Sequence, residues 1–325
     1  MLWQRGQAVI GKEKSKRKRI MTVSAQRIAV IGLGSMGFGM ATSLLRAGFS
    51  VTGCDVSADP VERLKALGMG GAASPAEAAR DAAVVVSVVV NAAQTETILF
   101  GRDGVAKMML PGAVFISSAT MDPDIARKLA RQLEATGRHY LDAPISGGAQ
   151  RAAQGELTIL ASGSAAAFAR ARPALDAMAA KLYELGDAPG QGSAFKMINQ
   201  LLAGVHIAAA SEAISFAAKQ GLDIRKVYEV ITASAGNSWM FENRVPHVLE
   251  GDYTPRSAVD IFVKDLGIVQ DMARNAKFPV PMSAAALQMF LMASAAGMGR
   301  DDDIAVAKIY AQVTGAPLPG APKRD

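Results

Sequence analysis

The sequence predicts an α/β domain on a mostly parallel sheet, followed by an all-α C-terminal domain. Three observations carry this prediction. The run "RIAVIGLG" (27–34) is β-branched and ends in glycines, "SMGFGMATSLLRAG" then shows helical apolar spacing up to Gly48, and "FSVTGCDV" (49–56) is a second apolar run. Strand, helix and strand within about thirty residues require a parallel pair and a right-handed crossover. The near-continuous valines between 84 and 90 fit a strand covered on both faces. Finally, strand patterns stop after Gly192, and from there to 318 only long Ala-, Met- and Leu-rich helical segments follow, punctuated by "AGN", "GDYTPRS" and "KFPVP".

Beyond the first two strands, "AAVVVSVVV" (82–90), "AVFISSA" (113–119), "HYLDAP" (139–144), "LTILASG" (157–163) and "KLYELG" (181–186) read as strands. Helical segments such as "PDIARKLARQLEATG" separate them. A chain of 325 residues suits two domains, and "DAPGQGS" (187–193) marks their junction. No internal repeat is visible.

Net charge is +6 with a pI near 9.4, which on its face suggests an anionic partner. Residues 1–24, however, hold seven bases and one acid, and the remainder is balanced at 28 bases against 28 acids. The run "KEKSKRKR" is too polar to offset ordering entropy and reads as a disordered tail, with Met21 a candidate start. No basic face continues into the body, so a nucleic-acid partner is not expected. Cys54 is the only cysteine, which excludes an internal disulfide and suits a reducing, cytoplasmic setting. No signal-peptide core follows the tail. "LLAGVHIAAASEAISFAA" is long and apolar, but His206 and Glu212 interrupt it, so it reads as the buried central helix of the second domain, with no membrane expected.

Gly32-Leu33-Gly34-Ser35-Met36-Gly37 forms a G-x-G-x-x-G. Alone that pattern is weak. Here it follows a strand, opens a helix, and has Asp55 at the end of the next strand about twenty residues on, the arrangement of a dinucleotide-binding Rossmann unit. Gly32 permits the turn, Gly34 the approach of pyrophosphate and Gly37 the packing of helix on strand, while the helix N-terminus favours phosphate. Asp55 can accept both ribose hydroxyls and would repel a 2′-phosphate; no arginine immediately follows it, so NAD is expected over NADP. The domains then run 1–24 (tail), 25–188 (Rossmann), 189–318 (helical) and 319–325 (tail).

In "GQGSAFKMINQ" (190–200), Lys196, Asn199 and Gln200 fall at i, i+3 and i+4 on a helix that otherwise looks apolar. The bland alternative is a surface lysine whose stem covers apolar neighbours. Two adjacent amides and a position just past a domain junction favour a cleft, where desolvation lowers a lysine's pKa towards that of a neutral-pH acid/base.

With these stretches, "DAPISGG" (142–148) and "FVKDL" (262–266), residues 26 to 312 resemble the β-hydroxyacid dehydrogenase family, which includes 3-hydroxyisobutyrate dehydrogenase, tartronate semialdehyde reductase and 6-phosphogluconate dehydrogenase. The resemblance implies that Lys196 is the acid/base, that Ser146, Gly147 and Gly148 hold the substrate carboxylate with Asn199 and Gln200 nearby, and that Lys264, Thr120 of "SSATMDP", Val90 and Asn91 border the cofactor. It also implies a homodimer or homotetramer. Two stretches depart from the family pattern: Gln200 stands where asparagine is usual, and "NAAQTET" (91–97) replaces a loop that commonly carries proline and threonine. Imine-reducing relatives replace the lysine, so Lys196 implies an alcohol/ketone pair. "GNSWMFENR" and "GDYTPRSAVDIFVKDLG" look most like a branch that oxidises a four-carbon polyhydroxy acid at C2, with 3-hydroxyisobutyrate or tartronate semialdehyde as the alternative substrate, which no spacing of residues distinguishes. Asn237, Ser238 and Asn243 would suit its extra hydroxyls, or else begin a helix beside aromatic anchors.

His139, His206 and His247 show neither metal spacing nor an identifiable acid partner, so no metal is expected. "DDD" (301–303) reads as a solvated helix start. A non-catalytic NAD-responsive scaffold is the competing class; such a protein would lack the lysine or disrupt the "SGG" turn, and this chain keeps both.

Overall fold

The computed structural model describes residues 26–321; the basic tail and residues 322–325 lie outside them. All seven expected strands form, with two further short ones. The first domain runs β1 (Arg27–Ile31), α1 (Gly37–Arg46), β2 (Ser50–Cys54), α2 (Ala58–Ala66), β3 (Gly70–Gly71), α3 (Pro75–Ala78), β4 (Val84–Ser87), α4 (Ala92–Phe100), β5 (Val114–Ser117), α5 (Pro123–Glu134), β6 (His139–Asp142), β7 (Ile145–Ser146), α6 (Gly148–Gln154), β8 (Leu157–Ala161), α7 (Ala165–Met178) and β9 (Ala179–Glu184).

Strands β1 to β6 form one parallel sheet in the order β3-β2-β1-β4-β5-β6. The order reverses between β1 and β4, and the loops at the carboxyl ends of these two strands therefore diverge and leave a crevice. The valines of β4 are fully buried because alternate residues feed opposite faces: Val84 and Val86 pack with α1 and α7, and Val85 packs with α4 and α5. β3 is two glycines paired to β2, with no side chain to signal it. The strands expected at 157–163 and 181–186 leave the main sheet and form a three-stranded one, in which β7 runs antiparallel to β8 and β8 parallel to β9.

The second domain is entirely helical: α8 (Gln191–Lys219), α9 (Ile224–Thr232), α10 (Trp239–Glu250), α11 (Val259–Asn275), α12 (Pro281–Ala293) and α13 (Val306–Thr314). α8 is the hub, with α10, α11, α12 and α13 packed around it. It and the helical stretch Pro281–Met298 are long and apolar enough to cross a membrane; for α8 that apolarity serves burial against its neighbours.

The domains are joined at the first turn of α8. Asp142, at the end of β6, is fully buried and accepts hydrogen bonds from the amides of Gly190 (3.0 Å) and Ser193 (2.8 Å) and from Ser193 Oγ (2.7 Å). A side-chain carboxylate thus satisfies amides that a helix start leaves unpaired. Burial pushes the Asp142 carboxyl above the ordinary range, with these hydrogen bonds pulling the other way. Gly192 makes the close approach possible, since a Cβ there would lie 2.3 Å from the Leu160 carbonyl oxygen.

One reading of a polar stretch is corrected, and another is narrowed. "DDD" is no solvated start: Asp302 and Asp303 are fully buried, Asp303 taking Arg244 in a fork at 2.8 and 3.2 Å and Asp302 facing His247 Nδ1 at 3.1 Å. His247 therefore has the acid partner that sequence spacing did not reveal. Ser238 begins a helix, one of the two readings of its stretch: it caps α10 by accepting the Phe241 amide at 3.0 Å. Asn237 Nδ2 donates to the Thr232 carbonyl and to Glu242, and Asn243 Oδ1 accepts from Arg244.

Candidate active site

The glycine loop sits at the carboxyl end of β1. Gly32 adopts φ +90, and a Cβ on Gly37 would lie 1.8 Å from the Gly32 carbonyl oxygen, so the tight turn forces both residues to be glycine. No side chain caps α1 and no acid lies in its first turn, so its amide end faces Gly34 and Ser35, which are exposed, as an anion-binding end. Leu33 and Met36 are buried and half-buried, anchoring the loop from beneath. Asp55 accepts from the Leu33 amide (2.6 Å) and the Ser57 amide (2.9 Å), which fixes its carboxylate beside the loop.

A cleft of about 680 Å³ lies here, lined by Gly34, Ser35, Asp55, Arg63 and Gln150 among others. Sequence reading missed Arg63. No arginine follows Asp55 directly, and α2 carries Arg63 back over the Phe38 ring, 4.6 Å from its centroid and 3.8 Å from Asp59. A second cavity of about 420 Å³, lined by Arg27, Ser50 and Asp81, lies at the opposite, amino end of the strands; in parallel sheets ligands bind at the carboxyl end.

Val90 and Asn91 follow β4. Asn91 Oδ1 accepts the Gln94 amide, and Gln94 Oε1 accepts the Val90 amide, both at 2.9 Å, so the departure from the family loop has its own helix cap. The Val90 side chain is exposed.

Ser146 ends β7, and Gly147 and Gly148 follow at φ +138 and +78, values that side-chain-bearing residues rarely adopt. Ser146 and Gly147 are half-buried and Gly148 exposed, leaving the turn accessible. Its helix α6 is held by the cofactor-loop helix: Ser43 Oγ donates to the Ala152 carbonyl at 2.9 Å, and a Cβ on Gly39 would meet the Ala153 nitrogen at 2.6 Å. The two glycine-rich turns are thereby one rigid unit.

Lys196 lies one turn into α8 and is 7% exposed. It makes no hydrogen bond among the described residues. Burial lowers its pKa from 10.5 to about 8, with Asp265 opposing and Lys264 adding to the shift. Gln200 is buried beside it and donates to Asp265 at 2.6 Å, while Asn199, exposed, donates to Gln200 at 3.0 Å. Lys264 pairs with Asp265 and donates to the Thr120 carbonyl at 3.3 Å. The structure thus strings Asn199, Gln200, Asp265, Lys264 and Thr120 into one network that ties α8 and α11 to the end of β5. Asp142 and Asp265 are the positioning groups that sequence reading passed over, although both stand inside the quoted stretches "DAPISGG" and "FVKDL". Among the described residues no three His, Cys, Asp or Glu side chains converge as metal ligands.

A family model described as the NAD binding domain of 6-phosphogluconate dehydrogenase matches residues 27–186, and one described as NAD-binding of NADP-dependent 3-hydroxyisobutyrate dehydrogenase matches 190–310. The chain is 57% identical to an L-threonate dehydrogenase of Cupriavidus necator, over 91% of this chain and 99% of that one. It is 49% identical to an L-threonate dehydrogenase of Escherichia coli K12, over 92% and 99%. A crystal structure of a 3-hydroxyisobutyrate dehydrogenase from Salmonella typhimurium superposes with a TM-score of 0.83 at 53% identity, covering 87% and 99%.

Proposed function

The chain belongs to the β-hydroxyacid dehydrogenase family, and on that premise we propose that it oxidises L-threonate at C2 with NAD, giving 2-dehydro-L-erythronate, with Lys196 as general base. The observation that carries the chemistry is the setting of Lys196: a buried amine that makes no hydrogen bond among the described residues, next to a dinucleotide fold, where burial lowers its pKa towards about 8. The substrate assignment is supported by relatives named for L-threonate at 49–57% identity over nearly their whole length.

The residues around the cleft fit the cofactor. The exposed amide end of α1 suits a pyrophosphate, and Asp55, pinned by two amides, suits the adenosine ribose hydroxyls. Bound there, NAD would supply the hydride acceptor. Lys196, neutral above its pKa, takes the proton from the C2 hydroxyl as the C2 hydrogen departs with its electron pair, and a ketone results. The amides of Ser146, Gly147 and Gly148 hold the substrate carboxylate, as close-approaching backbone N–H groups can. Asn199 orients the hydroxyl, and the reverse reaction returns the proton from Lys196. Thr120, Lys264, Val90 and Asn91 would border the nicotinamide side of the bound cofactor. Asp55 disfavours a 2′-phosphate by charge repulsion, which supports NAD over NADP.

Exposed Phe195, Ile198, Leu202, Phe216 and Trp239 on the helical domain support a homo-oligomer, dimer or tetramer. A lone buried Cys54 supports a cytoplasmic setting. The test is turnover of a panel of C3 to C6 hydroxy acids with NAD and NADP, followed by absorbance of the reduced cofactor. L-Threonate with NAD is expected to give the highest kcat/KM; turnover of none of the acids contradicts the proposal.

A further inference from the structure

We propose that Gln200 is a positioning residue that fixes Asp265 across the gap between α8 and α11, leaving Asn199 as the amide that meets the substrate. The proposal rests on the reading of Lys196 as the acid/base. Both ends of the Gln200 amide are spent inside the protein: Nε2 donates to Asp265 Oδ2 at 2.6 Å and Oε1 accepts from Asn199 at 3.0 Å. Gln200 is 7% exposed, whereas Asn199 is exposed and its side-chain Oδ1 has no partner among the described residues.

Asp265 is 1% exposed and stands between two cations. Its Oδ1 pairs with Lys264, which also reaches the Thr120 carbonyl. Held by that ion pair alone, the carboxylate could swing wholly towards Lys264. The hydrogen bond from Gln200 pins the other oxygen on the α8 side, where Asp265 favours the protonated form of Lys196. Asp265 and Lys264, both on α11, are the charged groups that act on Lys196; Asp142, at the foot of α8, is sealed by Ser193 and Gly190. Reach matters here: asparagine is shorter by one carbon–carbon bond, about 1.5 Å, which would open the 2.6 Å contact beyond hydrogen-bond range.

The test uses the full chain as wild type, Gln200→Met, Gln200→Asn and Asn199→Ala. The kinetics give kcat, KM for the hydroxy acid and the pH profile; independently of turnover, the pH dependence of acetylation of Lys196 by acetic anhydride, located by peptide mass spectrometry, gives its titration midpoint. Both Gln200 variants are expected to lower that midpoint by about half a unit or more, with KM changed less than about twofold. Asn199→Ala is expected to raise KM about tenfold, the loss of a substrate hydrogen bond, with the midpoint unmoved. Gln200→Asn keeps the amide and so guards against a Met variant that fails to fold. Gln200 variants that raise KM as Asn199→Ala does, or that leave the Lys196 midpoint where it was, overturn the proposal. A wild type that turns over no hydroxy acid contradicts the dehydrogenase reading instead, and the acetylation titration still decides the role of Gln200.

Discussion

The helical domain buries two cations, and it treats them in opposite ways. Arg244, 9% exposed, is gripped by Asp303 in a two-point fork, and the neighbouring His247 faces Asp302. Burial opposes ionisation of Asp302, yet hydrogen bonds from His247 and the Arg256 amide hold its carboxyl below the usual range. Lys196, 7% exposed, has no such grip; its countercharge Asp265 is already engaged by Lys264 and Gln200. Where this chain buries charge to build the domain, it pairs it. Where the charge stays unpaired, the ammonium form is costly and the neutral amine is available for proton transfer.

Breaking the pattern at each cation should therefore produce opposite phenotypes. Lys196→Met is expected to lower kcat by about a thousandfold or more, the upper range for a lost general base, as read in steady-state turnover. The same variant should be more stable. Lowering a lysine from 10.5 to about 8 on folding costs about 3 kcal/mol. That cost is full below about pH 8 and vanishes above about 10.5, so the gain should shrink across this window in denaturant titrations at several pH values. Arg244→Met should do the reverse, losing about 3–5 kcal/mol of stability because Asp303 is left buried without its partner, while kcat per folded molecule stays within about twofold.

Asp55 sharpens the comparison from the other domain, since it is a half-buried charge fixed by amides that lines the cleft at the glycine loop. Asp55→Asn removes the repulsion of a 2′-phosphate, and the ratio of kcat/KM for NAD over NADP is expected to fall about tenfold. Arg63 lines the same cleft. The smallest effect is expected from Ser238→Ala: removal of the cap of α10 should cost about 1 kcal/mol, with KM for the acid unchanged within about twofold. A large KM effect there would return Ser238 to the substrate site.

What local sequence carries is visible in these residues. The strands of the main sheet announce themselves through runs such as Val84–Val86, because burial on both faces demands unbroken apolar character. Gly32 and Gly37 are legible because backbone crowding admits nothing larger, whereas a Cβ on Gly34 would meet open space. Lys196, Asn199 and Gln200 were legible as a set but not in their division of labour: Lys196 and Gln200, at i and i+4, both turn inwards, and Asn199 stays outside. Asp302 and Asp303 were misread because their partners lie 55 and 59 residues away on α10, and charge composition near a helix start says nothing about what another helix brings to it. Gly70–Gly71 forms a strand purely through its backbone, where no side-chain period exists to read. The return of Arg63 to the Asp55 cleft likewise depends on the direction of a helix, not on spacing from the strand.

The most direct test of the central claim is the pH profile of kcat/KM for oxidation, measured beside the titration of Lys196 by chemical labelling. Both are expected to rise through a common midpoint at about pH 8 and then level off, because the neutral amine is the working form. A rate that ignores pH from about 6 to about 10, or a Lys196 that titrates near the ordinary lysine value of about 10.4, would contradict it.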